Sequence, residues 1–295
     1  MKMTFQKLVI GASIAIGVNA LATVPAQAGT LTGATIGGTA ASDYLVYDSN
    51  ATNTFLVANT SANVQKVLDG NAANPTGNVE LAASSEQTGF NFTKNTALTG
   101  TIGGKTLTLS SLTSDDWFGV GKTTTTYGLN NLANTWFNQV LSSNNITSNL
   151  LVGLGYTQQT LFSKFLTSGG FERFSDPNIS YVNQDDTSGL ISIGLAGHYN
   201  AAPLIGLPSN LFTSPLQASE LVKYTYDGKT DYLYSFKATQ SGLVEKSDGI
   251  SHSGNYEVPI KGVDPAAVPE PSVMLGLLGV AGVFASQRKF KKASI

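Results

Sequence analysis

The sequence predicts an α+β fold, a β-rich, sandwich-like core with a central helical insertion. Apolar residues recur with the two-residue period of strands towards both ends of the chain, and with the 3.6-residue period of helices in the middle. None of the 295 residues is cysteine, so an ordinary apolar core must hold the fold without disulfides.

The region from Thr30 to about Thr113 reads as strands. Asp43–Tyr47 and Thr54–Ala58 are β-prone runs joined by a polar loop, a hairpin pattern. Asp69 to Asn78 carries Gly, Asn and Pro and is expected to be a loop. Leu98–Ile102 and Lys105–Leu109 flank Gly103-Gly104, a pair that supplies the positive φ angles of a tight hairpin turn. Leu107 and Leu109 alternate with Thr106 and Thr108, as in a strand with one buried face. The period then changes. Leu129, Leu132, Ala133, Trp136, Phe137, Val140 and Leu141 share one helical face, and Leu161, Phe162, Phe165 and Leu166 share another, with Gly169-Gly170 as a stop. Leu150–Leu154 fits a short helical link, which puts the helical insertion at about residues 129–168. Gly189 to His198 fits a buried helix or a buried strand equally well. Val222, Tyr224 and Tyr226, then Asp227-Gly228, then Tyr232, Tyr234 and Phe236 form a second tight hairpin. Asn255 to Ile260 is expected to be an edge strand ended by Pro259.

The two ends of the chain carry a different kind of information. Lys2 and Lys7, the apolar run Leu8–Val18 and the small-residue site Ala26-Gln27-Ala28 have the layout of a secretory signal peptide, residues 1–28, with cleavage expected between Ala28 and Gly29. An exported domain over 29–262 and a linker over 263–268 then lead to Pro269-Glu270-Pro271. The two prolines make this triplet a stiff spacer, and Ser272 to Ser286 follows without a charge. Fifteen residues make a helix of roughly 22 Å, short of the roughly 30 Å bilayer core. Arg288, Lys289, Lys291 and Lys292 then hold that end in the cytoplasm. A plain C-terminal anchor would have the same apolar run and basic end. The whole arrangement over 269–295, opened by Val268-Pro269-Glu270-Pro271-Ser272, resembles the PEP-CTERM sorting domain of exported Gram-negative bacterial proteins. That resemblance implies export by the secretion machinery and recognition by an exosortase-like membrane enzyme. It also implies transient membrane anchoring, then release to the cell surface or an exopolysaccharide matrix.

Six of the 17 Lys and Arg residues, and one of the 19 Asp and Glu residues, lie in these end segments, leaving a domain charge of about −7. An acidic surface disfavours nucleic acid as a partner. His198 and His252 form no metal-binding or nucleophile pattern and are expected to be structural, and no cofactor motif is present. Asp176, Asn178, Asp185 and Asp186 offer a loose calcium site. The stretch begins like a calcium loop but has Tyr181 in place of the turn glycine and Thr187 in place of the last carboxylate, so an Asx-rich turn is the competing expectation. Tyr224, Tyr226, Tyr232 and Tyr234 would stack on sugars if exposed on one face, with Trp117 beside Asp116 as a second option. Core or cross-strand packing competes with that reading. The leading expectation is a non-enzymatic exported surface or matrix protein. The alternatives are a secreted carbohydrate- or calcium-binding module and an extracellular hydrolase.

Overall fold

The computed structural model describes residues 27–185 and 187–263. The residues before Gln27 that are expected to be a signal peptide, Asp186, and the expected linker past Val263 and sorting segment with Pro269, Glu270 and Pro271 lie outside them. The described part is a β-rich α+β fold.

The elements follow in chain order. Strands β1 (Gln27–Thr30), β2 (Thr32–Gly38), β3 (Tyr44–Ser49) and β4 (Asn53–Val57) precede helix α1 (Ser61–Leu68). Strands β5 (Gly77–Leu81), β6 (Thr96–Ile102) and β7 (Lys105–Ser110) come next. A helical block follows: α2 (Ser114–Phe118), α3 (Leu132–Ser143), α4 (Ser148–Gly153), α5 (Gln158–Thr167) and α6 (Gly170–Arg173). The chain returns to strands with β8 (Asn178–Asp185), β9 (Leu190–Gly197), β10 (Val222–Tyr226), β11 (Lys229–Leu233), β12 (Thr239–Gln240), β13 (Val244–Glu245) and β14 (Gly254–Lys261). One sheet has the order β12-β14-β9-β8-β5-β3-β4-β13, with β1 also on β8, and the second has the order β11-β10-β7-β6-β2.

The inner faces of both sheets supply a single apolar core. Val79, Ile179, Ile193 and Val258 come from the first sheet, Leu98, Leu107, Leu109 and Tyr226 from the second, and Val64, Val67 and Leu68 from α1. A second core, rich in aromatic rings, belongs to the helical block. Trp136 lies 4.7 Å from Phe174 and 5.4 Å from Trp117 between ring centroids, and Phe165 lies 4.9 Å from Phe171. Tilted and edge-on rings at such spacings add to what their burial contributes.

The hairpin turns form where the glycines allow them. Gly103 and Gly104 have φ of 58° and 72° between Ile102 and Lys105, and Asp227 and Gly228 have 48° and 75° between Tyr226 and Lys229. α3 buries the expected face but starts at Leu132, because the Asn131 side chain accepts from Asn134 N and sets the N-terminus there. Leu129 is left exposed ahead of it. The helical block is longer than 129–168. Thr113 and Asp116 form a capping box that starts α2, and Gly169, at φ 74°, is followed at once by α6.

Three further expectations are corrected. Residues 61–68 are the helix α1 in a region expected to be strands, capped by Thr60 and burying Val64, Val67 and Leu68. β5 takes Gly77 and Asn78 out of the expected loop, and Gly189–His198 resolves as the strand β9. Pro259 does not end β14, whose ladder with β9 runs on to Lys261 opposite Leu190. The far edge of β14 is paired only at Gly254 and Asn255, so a missing donor there leaves no ladder bond unmade. Among the described residues no helix is long and apolar enough to cross a membrane.

Candidate functional site

The pairings Glu80↔Asn178, Asn178↔Ala196 and Asn255↔Ala196 place a polar row across the face of the first sheet that points away from its apolar core. Beside this row lie three carboxyl groups. Asp176, just ahead of β8, is 6% exposed and accepts from the Ser85 hydroxyl. Glu220 accepts from the backbone N–H and side-chain amide of Asn178 at 3.1 and 3.2 Å. Burial is the main force on all three. It holds Asp176 well above the usual carboxylate range, with the Glu220 and Glu80 charges adding to the effect, and raises Glu220 to about 8. It takes Glu80 to about 7 against the opposing pull of the Tyr47 hydroxyl bond. None of the ion pairs among the described residues supplies these three with a cation, so burial shifts all three towards the protonated form.

Ser85 also borders a groove of about 350 Å³, between the β5–β6 loop on one side and the end of α5 with α6 on the other. The loop is shaped by its own polar side chains: the Asp43 carboxylate accepts from Ser84 N and Oγ at 2.9 and 2.8 Å, and Asn91 Oδ1 accepts from Thr93 N at 3.1 Å. Phe90 and Phe92, partly exposed, stand 5.9 Å apart on this side, and Phe92 meets the buried Phe118 edge-on at the same distance. On the opposite wall Phe171 and Phe174 anchor α6 in the aromatic core and leave Glu172 and Arg173 to face the groove. Arg173 Nε donates to Glu86 Oε1 at 2.5 Å, closing an ion pair across the two walls. Glu172 Oε2 has no hydrogen-bond partner, and burial raises its pKa. A second, smaller cavity of about 10 Å³ is lined by Asn78, Ser180, Asn255 and His252 and has room for about one water-sized molecule.

Of the residues singled out from the sequence, Asp176 and Asn178 belong to the carboxyl cluster and the others lie elsewhere. Asp176 and Asp185 stand at opposite ends of β8, roughly 25–30 Å apart along an extended chain, so they do not share a calcium site. Asn178 belongs to the carboxyl cluster, and Asp185 Oδ1 caps its own turn by accepting from Thr187 N and Ser188 N at 2.9 and 2.7 Å. Among the described residues no three His, Cys, Asp or Glu side chains converge to hold a metal ion. The tyrosine platform is also corrected. In the β10–β11 register Tyr224 pairs with Asp231 and Tyr232 with Lys223, so the two tyrosines lie on opposite faces. Tyr226 and Tyr234 are buried, donating to Ile102 O at 3.2 Å and Gln139 Oε1 at 2.8 Å. Trp117 is fully buried, with its indole N–H on Ser175 Oγ at 2.6 Å.

Both histidines have local partners. His252 is buried, has Nδ1 2.7 Å from Thr54 Oγ1, and is taken down to about 4 by burial. His198 Nε2 lies 3.2 Å from Ser251 Oγ, the serine–histidine proximity that a hydrolase would need. The serine proton, however, goes to Asp248, whose other oxygen accepts from Ile250 N and Ser251 N at 2.9 and 3.0 Å. In a nucleophilic triad the carboxylate orients the imidazole instead of holding the serine. No protein-family model matches this chain, and no curated protein or solved structure is similar to it.

Proposed function

We propose that this chain is an exported, non-enzymatic interaction protein, sorted to the cell surface or an exopolysaccharide matrix by its C-terminal segment. The observation that carries this reading is the pairing of a signal-peptide layout at residues 1–28 with the Pro-Glu-Pro, apolar and basic arrangement of 269–295. Export places the folded part, a sandwich-like pair of sheets with its helical insertion, outside the inner membrane. The N-terminal apolar segment acts as the signal helix and the C-terminal one as a short helix recognised by an exosortase-like enzyme. A domain charge of about −7 and the lack of cysteine suit a soluble life outside the cell that depends on no redox state. Of the alternatives, the carbohydrate-binding module has support from the groove at Arg173, the calcium-binding reading loses the pairing of Asp176 with Asp185, and the hydrolase reading keeps the His198–Ser251 contact at 3.2 Å but with the serine hydroxyl donated to Asp248.

The test is substitution of Pro269, Glu270 and Pro271 by alanine in the producing cell, followed by fractionation. The expected outcome is accumulation of an unprocessed, membrane-retained form while the parent protein is released. Release of the variant in normal amounts would contradict the reading.

A further inference from the structure

We propose that the groove between the β5–β6 loop and α6 binds an uncharged sugar unit of a polysaccharide, stacked on Phe90 and Phe92 and hydrogen-bonded by Arg173, Glu86 and Glu172. The reading of the chain as an exported interaction protein bears on where it meets such a ligand; the groove's chemistry stands apart from it.

A groove of about 350 Å³ falls in the size range of small-molecule sites, about 300–1,000 Å³. Its two walls differ in the way that the two aspects of a sugar ring differ. Phe90 and Phe92, 5.9 Å apart and inclined by 38°, offer apolar rings to C–H faces. Opposite them, Arg173 uses only Nε among the described residues, which leaves the donors of its terminal amino groups for hydroxyl oxygens. Glu172 lines the same wall, its Oε2 closed off from solvent, and Glu86 keeps a second carboxylate oxygen beyond the one that meets Arg173. Donors and acceptors side by side are what a polyol requires.

Charge selects within that class. The Glu86–Arg173 pair cancels itself, and Glu172 beside it is held towards its neutral form by burial. A phosphate, nucleotide or uronic acid would find no unpaired cation here, which disfavours anionic sugars. The backbone leaves room at the same spot: a Cβ built on Gly169 would meet nothing nearer than Glu172 Oε2, at 3.9 Å. The walls are also fixed before any ligand arrives, through Phe92 on Phe118 and through Phe171 and Phe174 in the aromatic core, which limits the ordering cost of binding.

The test is calorimetric titration of the full chain with maltotriose, cellotriose and diacetylchitobiose, and with digalacturonate as an anionic probe. Saturable binding of at least one neutral probe and none of digalacturonate is expected. Two variants locate the site. Arg173→Met should weaken binding about ten-fold or more through the loss of charge-assisted hydrogen bonds. Gly169→Asn, whose side chain tolerates the left-handed φ of 74°, should block it while leaving the thermal midpoint within a few degrees. Binding of no neutral probe, preference for digalacturonate, or undiminished affinity in a folded Gly169→Asn protein would each overturn the proposal. Failure here leaves the processing of the tail untouched, and a wrong reading of the tail leaves this titration untouched, so the two readings fall separately.

Discussion

At the scale of single residues, the protein carries carboxyl groups whose charge is poorly solvated. Glu80 and Glu220, raised to about 7 and about 8 chiefly by burial, bind protons more tightly in the folded than in the unfolded chain, where glutamate titrates near about 4.3. The stability they contribute is therefore full below about pH 4 and is lost as the pH rises through 7 and 8. Asp176 acts in the same direction. His252, lowered to about 4 by burial, acts in the opposite sense: its contribution is present above about pH 6.5 and is lost as the pH falls through 4. The three carboxyl groups outweigh the one imidazole, so we expect greatest stability near about pH 4 and a falling thermal midpoint between about pH 5 and pH 8. Glu220→Gln keeps an acceptor for Asn178 and should flatten that fall. A midpoint whose pH slope is the same in Glu220→Gln as in the parent would contradict this assignment.

At the scale of elements, one side chain ties the helical block to the second sheet. Asp116 starts α2 by accepting from Thr113 N and Oγ1 at 2.9 and 2.8 Å. Its other oxygen accepts from Lys223 Nζ on β10 and Tyr232 OH on β11, at 2.7 and 2.8 Å. Burial works against the charge of Asp116, but these hydrogen bonds prevail and its pKa is lowered. Asp116→Ala removes a helix cap and leaves the ammonium of Lys223 without its partner, so we expect a loss of roughly 2–4 kcal/mol in denaturant unfolding. A loss below about 0.5 kcal/mol would show that α2 is held by Trp117 and Phe118 alone. The same scale explains what the sequence could reveal. Gly103-Gly104 and Asp227-Gly228 carry their turn chemistry locally, and α3 shows its buried face in a single run from Leu132 to Leu141. α1 has only Val64, Val67 and Leu68 to mark it among polar neighbours. β8 breaks the two-residue period because its register shifts between Ile179 and Tyr181. Ile179 and Val182 consequently both reach the core, and the segment passes for a loop of Asx residues.

At the scale of the whole molecule, the proposed role of the two ends is to direct export, and that of the folded part is to present the groove outside the cell. The groove escaped sequence reading because Phe90 and Phe92 lie some eighty residues from Glu172 and Arg173 and no local period links them. The carboxyl cluster is similar, since Glu80, Asp176 and Glu220 come from three distant segments and meet only through strand pairing and the packing of a late loop. The expected cleavage site between Ala28 and Gly29 falls within β1. β1 starts at Gln27, and cleavage before Gly29 would leave the pairings Gly29↔Gln184 and Thr30↔Asn183 intact. The most direct test of the central claim is the intact mass of the mature protein from its host. Loss of residues 1–28 together with loss of the tail near Pro269-Glu270-Pro271 is the predicted result, and a mass that retains the tail through Ile295 would contradict it.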